Sequence, residues 1–265
     1  MPRQAGKYGR LPMDRSRPRL TLEKYLNPRT ALSRAGLPAV PLTDDVDRAS
    51  EVSSWPKYLN ADLGDCTIAA FGHMYGAWTV YAGAGEALFA DSEIQAVYSR
   101  VGGYDPSDPS TDQGCVMADV LADQKANGIT DTAGKLHKVL GYAAFGNPAD
   151  ATLLGQVLDV FGSVYVGINV QQSMETEFAD GQPWDWTPGD QIVGGHAICL
   201  QQRYGDATVP YEYVTWGALE KATANFQANA AEEAWAVVTA DWVRSNGTTV
   251  EGLDVSQLLA DMADV

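Results

Sequence analysis

Cys66 follows Gly64 and Asp65 at the head of "DCTIAAFGHMYGAWTVYAG", a run that reads as a helix. Asp65 stands at its N-cap position, and Ala69, Ala70, Met74, Ala77 and Tyr81 recur at helical spacing. A thiol in the first turn of a helix feels the positive end of the dipole, which favours the thiolate, and a neighbouring histidine deepens that effect. The chain has three histidines, so each can be tested as the partner. His73 lies seven positions along the same helix, about 10 Å up its axis and beyond hydrogen-bond reach. His137, in "GKLHKVLGY", sits between lysines and reads as a surface or strand residue. His196 is left, opening a strand "GGHAICLQ" behind two glycines that permit close approach of another backbone or a ligand. The chemistry open to such a pair is attack on a carbonyl carbon by sulfur with imidazole as acid and base. The competing reading is that Cys66 is a small buried hydrophobe, which is how Cys115 and Cys199 read.

The elements that must position these residues fall into two textures. Helices are expected at "DSEIQAVYSRV", at "VMADVLADQKANG", and at "PADATLLGQVLDVFG", the last with Pro148 near its first turn and Gly162 closing it. After Gly162 the segments "SVYVGINV", "HAICLQQRY", "YEYVTW" and "EAWAVVT" are short, β-branched and aromatic, so this half is expected to hold a sheet. A terminal amphipathic helix is expected in "VEGLDVSQLLADMADV". Helices first and strands second is an α+β order. "PWDWTPGD" carries Trp184 and Trp186, which either rim a cleft or pack as a loop on their own body.

Charge divides the chain more sharply than its net of -16 suggests. Residues 1–36 hold half of all the basic residues, among them Arg3, Lys7, Arg10, Arg15, Arg17 and Arg19, against Asp14 and Glu23. Six prolines before residue 45 discourage long helices there. Residues 1–45 therefore read as an extended Pro/Arg-rich arm with one short turn near Leu20–Leu26. Residues 46–162 form the helical half with Cys66, and 163–265 the β half with His196 and the C-terminal helix. The acidic body should repel nucleic acid; the arm is suited to an acidic partner, to nucleic acid or to its own body, with a solvated tail as the bland alternative. No apolar stretch is long enough to span a bilayer, and the N-terminus lacks a hydrophobic signal core, so the chain is expected to be made in a cytoplasm. Three unclustered cysteines and three scattered histidines offer no ligand set, so neither a metal nor an organic cofactor is expected.

The order Asn60, "GDC" at 64–66, "GGHA" at 194–197 and "TWG" at 215–217 resembles the papain-like cysteine peptidases, as does the Gly-Cys followed by a helix in "TDQGCVMADVLADQKANGI". The resemblance spans roughly residues 46–240. It implies a papain-like α+β fold, with a helical half carrying the Cys66 helix packed against an antiparallel β half. It implies peptide or amide hydrolysis through a thioester, with Cys66 as nucleophile and His196 as its ion-paired partner. Asn60, where the family has glutamine, would share an oxyanion hole with the Cys66 N–H, and Trp216 would shield the histidine from water.

Two departures bear on activity. The asparagine that orients the family's histidine is replaced by Val214, leaving Thr215 or Asp190 as substitutes. The family's disulfide is absent, since Leu63 stands where the partner of Cys115 would be, which fits a reducing compartment. Two functions follow as expectations. One is a papain-like thiol hydrolase with its arm across the cleft, in the place of a propeptide. The other is a catalytically weak papain-fold binding protein anchored by its arm in a larger assembly such as a virus or phage particle.

Overall fold

The computed structural model describes residues 3–17, 19–25, 41–205, 207–243 and 248–250. The helix expected in the tail lies outside the described residues beyond Val250. The centre of the molecule is an antiparallel sheet built from β6 (Val139–Ala144), β7 (Val164–Gln171), β8 (Ile192–Arg203), β9 (Tyr211–Thr215), β10 (Ala218–Ala222) and β11 (Ala231–Thr239). Its spatial order is β10-β9-β8-β7-β11-β6, and a short strand β2 (Val46–Asp47) adds to the far end of β8. Two of its strands, β2 and β6, thus come from before residue 163.

Both faces of this sheet are covered. Tyr165, Ala197, Cys199, Val214, Trp235 and Val237 face a core shared with the helices α2 (Cys66–Tyr81), α3 (Asp91–Gly102) and α4 (Met117–Ala126). Val164, Val166, Ile168, Ile198, Leu200, Tyr213 and Ala236 face a second core closed by α5 (Ala151–Phe161), α6 (Gln172–Asp180) and α7 (Ala224–Ala230). A sheet covered on both faces has no solvent side to alternate with. Its strands therefore read as continuous apolar runs rather than as a period of two. The short strands β6 and β10 and the helices α6 and α7 give weaker patterns, and the sequence reading did not find them.

The helices begin and end where local chemistry directs. In α5 the Asp150 side chain accepts from the N–H groups of Thr152 and Leu153, and Gly162 closes the helix at φ 75°. Pro148 lies before this cap, not within the first turn. The expected turn near Leu20 is α1 (Leu22–Tyr25), whose Leu22 is buried in the second core. Helix α2 is buried from Cys66 through Thr79, so it shows almost no polar face. Its glycines and alanines allow the close approach of α2 to β8; a Cβ on Gly72 would stand 2.6 Å from the Tyr58 ring.

Candidate active site

The loop entering α2 is tightly wound. Tyr58 and Leu59 take φ of 51° and 70°, and Leu63 N–H returns to Leu59 O. This turn carries Asn60 inward, where its Nδ2 donates to Leu63 O at 3.0 Å. Gly64 N–H is held by Asp112 Oδ1 at 2.9 Å, fixing the approach to the helix. Asp65 occupies the N-cap position, as its place in the sequence suggests, but its side chain makes no capping hydrogen bond. Its carboxyl is buried, and burial pushes it well above the usual carboxylate range. Cys66 opens α2 and is 1% exposed.

His196 sits inside β8, four residues past the start at Ile192, where the sequence suggested that it opened the strand. The register explains what orients it. Cys199 pairs with Val214 and Leu200 with Tyr213, so alternation turns Val214 into the α2 core and Thr215 to the opposite face, which His196 shares. Thr215 Oγ1 meets His196 Nε2 at 2.8 Å. Nδ1 of the same ring is buried without a hydrogen-bond partner. Asp190 instead accepts from Ser173 N–H and does not reach the histidine's bonded nitrogen. Trp216 stacks on His196 with centroids 4.5 Å apart and planes at 27°.

Trp216 and Gly217 form the two-residue turn between β9 and β10, with φ of 44° and 74°. Two positive φ values match the twist of a tight hairpin but are unfavourable for tryptophan. Packing on His196, Trp184 and Phe178 holds the indole there. Trp184 is fully buried in this cluster and does not rim a cleft.

The N-terminal segment passes directly over these residues. Lys7 N–H donates to Asn60 O at 2.8 Å, and Asn60 Nδ2 donates back to Lys7 O at 3.0 Å. Gly9 N–H donates to Gly195 O at 3.2 Å, and Gly9 O accepts from Cys115 N–H at 2.8 Å. The latter contact begins a parallel pairing of β1 (Arg10–Leu11) with β3 (Cys115–Val116). A Cβ on Gly9 would lie 1.8 Å from Gly64 O, and one on Gly195 would lie 2.3 Å from Arg10 O. The glycines beside Cys66 and His196 are thus the width of the passage. Tyr8 lays its ring edge-on to His196 and Trp216.

Charge fastens this segment. Arg3 pairs with Glu220 at 2.7 Å, Lys7 with Asp112, and Arg10 with Glu233 at 3.2 Å, while the Tyr8 hydroxyl donates to Glu175. Arg15 approaches Glu232 and Arg17 pairs with Asp119. Arg19 lines a cavity of about 220 Å³ between this segment and α4. The acidic partners carry no sequence motif, and the sequence reading missed them. Glu232 and Glu233 are the ones with a signal, carboxylates that enter a mostly apolar strand.

Enclosure sets the protonation states. Burial pushes the Cys66 thiol up to about 12, with the N–H groups of Ala197 and Gly9 pulling the other way. Burial lowers His196 to about 3, and the Arg10 guanidinium lowers it further. With the segment in place the two groups are a thiol and a neutral imidazole, not the ion pair implied by the resemblance. His73 is a buried helix residue bonded to Pro56 O at 2.7 Å. His137 is a strand residue, in the pair Leu136–His137, and not a surface one: it lies buried between Asp131 and Asp241. All three cysteines are free and buried, and no cluster of metal-ligating residues occurs among the described residues.

No family model matches the chain, and no curated protein matches it. Solved structures do. Xylellain, a cysteine protease from Xylella fastidiosa, superposes with a TM-score of 0.66 at 15% identity, over 89% of this chain and 97% of that one. Digestive procathepsin L 3 of Tenebrio molitor gives 0.56 at 13% identity, over 89% of this chain and 76% of its own. Bromelain from Ananas comosus gives 0.53 at 12% identity, over 75% of this chain and 99% of its own. With its antiparallel sheet packed on the helix that Cys66 opens, the chain has the papain-like α+β fold of these cysteine proteases.

Proposed function

We propose that the protein is a thiol hydrolase of peptide or amide bonds, with Cys66 as nucleophile and His196 as acid and base, held closed by residues 3–11. The observation that carries this reading is the histidine itself. Its Nε2 is engaged by Thr215, its face is covered by Trp216, and its Nδ1 is buried and left without a partner. A buried polar atom without a partner costs free energy, and such sites are where function is to be sought. Proton transfer is the use this nitrogen fits.

No hydrogen bond joins Cys66 to His196 while the segment is in place, so the mechanism requires that displacing residues 3–11 bring the two together; the thiol proton then passes to Nδ1, while Nε2–H donates to Thr215 Oγ1. Sulfur then attacks the carbonyl carbon. The Asn60 Nδ2–H now given to Lys7 O becomes free for the developing oxyanion, beside the Cys66 N–H. The imidazolium donates its proton to the leaving amine nitrogen as the C–N bond breaks, leaving a thioester. His196 next takes a proton from water, hydroxide adds to the thioester, and the acid and thiol are released.

Iodoacetamide labelling of Cys66 against pH tests the proposal, read by peptide mass in the wild-type chain and in full-length Arg3→Glu/Lys7→Glu. Wild type should label slowly below about pH 9. The variant should label at least about tenfold faster at neutral pH and cleave a casein-derived peptide mixture, and His196→Ala in that background should abolish both. A thiol that stays unreactive and indifferent to His196 assigns the fold to binding or assembly instead.

A further inference from the structure

The deepest anchor of residues 3–11 is a cavity shaped for one side chain. Arg10 is 6% exposed. Its Nη1 donates to Glu233 Oε1 at 3.2 Å, its Nη2 to Asn169 Oδ1 at 3.0 Å, and its Nε to Ile168 O at 3.3 Å. A carboxylate, an amide oxygen and a backbone carbonyl thus meet the planar guanidinium fork, a match that an ammonium point charge cannot make.

The acceptors are aimed by the body rather than by the occupant. Trp235 Nε1 donates to Glu233 Oε2 at 2.9 Å, and Asn169 Nδ2 donates to Glu232 Oε1 at 3.0 Å, which turns Oδ1 toward the cavity. Gly167 opens the entrance, since a Cβ there would stand 2.6 Å from Arg10 Cδ and 2.7 Å from Met117 Sδ. The residue before Arg10 hydrogen-bonds Gly195, next to His196, so the cavity opens one residue from the candidate reaction centre.

We propose that the Glu233–Asn169 cavity is an arginine-accepting subsite, that arginine-bearing basic peptides are the substrate class, and that Arg10 occupies the place of a substrate arginine. This rests on the hydrolase reading above. The strongly acidic body favours the same class, because it raises the local concentration of basic peptides and repels acidic ones. A structural ion pair alone would need neither the glycine entrance nor acceptors oriented from behind.

The test uses the full-length Arg3→Glu/Lys7→Glu/Arg10→Ala variant, in which the three ion pairs of residues 3–10 are removed. Cleavage is measured on internally quenched peptide pools identical except for arginine, lysine or norleucine at one fixed position. Binding of labelled acetyl-Tyr-Gly-Arg-Leu-amide and its norleucine analogue is measured in parallel by anisotropy, with Cys66→Ala added. Arginine should be preferred over norleucine by about ten- to a hundredfold in both assays, the size of a charge-assisted hydrogen-bond set, and over lysine by less. Glu233→Gln should remove the preference, and Asn169→Ala, at a partly exposed strand position, should reduce it if Glu233→Gln does not fold. Equal cleavage of all pools, or a preference untouched by both substitutions, overturns the subsite and leaves the hydrolase standing. Arginine-selective binding without cleavage overturns the hydrolase and leaves the cavity's selectivity standing.

Discussion

The residue best suited to being read from sequence was Cys66, and the residue that bonds its proposed partner, His196, is one the sequence could not assign. Thr215 was one of two substitutes for a missing asparagine, because a sequence does not give the register that turns Thr215 toward His196 and Val214 away. Asp65 is the other single-residue surprise. Burial holds its carboxyl well above the usual range, so the folded chain binds a proton that the unfolded chain releases near pH 4. Stability from that difference is complete below the unfolded pKa and is lost as pH rises through the folded one. Asp65→Asn has the same shape and no proton to lose. It should melt at the same temperature as wild type at pH 4 and higher than wild type at pH 8, as calorimetry would read.

At the scale of elements, long periodic or uniformly apolar segments were legible and short ones were not. The helices at 66–81, 91–102, 117–126 and 151–161 and the long strands announce themselves through pattern and caps. The two-residue strands β1 and β3 carry no pattern, yet they close the site. The β9–β10 turn was legible only as the letters "TWG". Its geometry explains them: the second turn residue has φ of 74°, and a Cβ there would lie 2.8 Å from Trp55 O. Gly217→Ala should therefore destabilise by about 1–3 kcal/mol in urea unfolding. It should also reduce Cys66 labelling in the opened variant, because Trp216 would lose its seat on His196.

For the whole molecule, the division of charge visible in the sequence becomes a fastening between two parts of one chain. Its strength depends on pH in a stated direction. Burial pushes Glu220 up to about 8, with Glu177 and Glu212 adding to the rise and Arg3 opposing it. Docking of Arg3 favours the ionised carboxylate, so this contact is strong above about pH 8 and weakens as Glu220 takes up its proton below it. Lys7, Tyr98 and Gly64 outweigh burial at Asp112 and hold it low, so the Lys7 contact persists to acid pH. Arg3 and Lys7 are 41% and 48% exposed, which leaves both contacts open to screening by salt. Hydrogen exchange at the Lys7 and Gly9 amides, corrected for intrinsic rate, should show more protection at pH 9 than at pH 6.5 and less in 1 M salt than in 0.05 M.

Leu22 is rooted in the core and Thr21 bridges to Ala144, only a short span of chain from Gly9. On the proposed function, opening and closing are therefore unimolecular, and the fraction open does not depend on the protein's own concentration. A competitor in solution faces an effective concentration on the order of millimolar, the usual figure for short tethers. On the proposed function, dilution therefore does not open the site, whereas a change in the chain, its protonation or its ionic surroundings does.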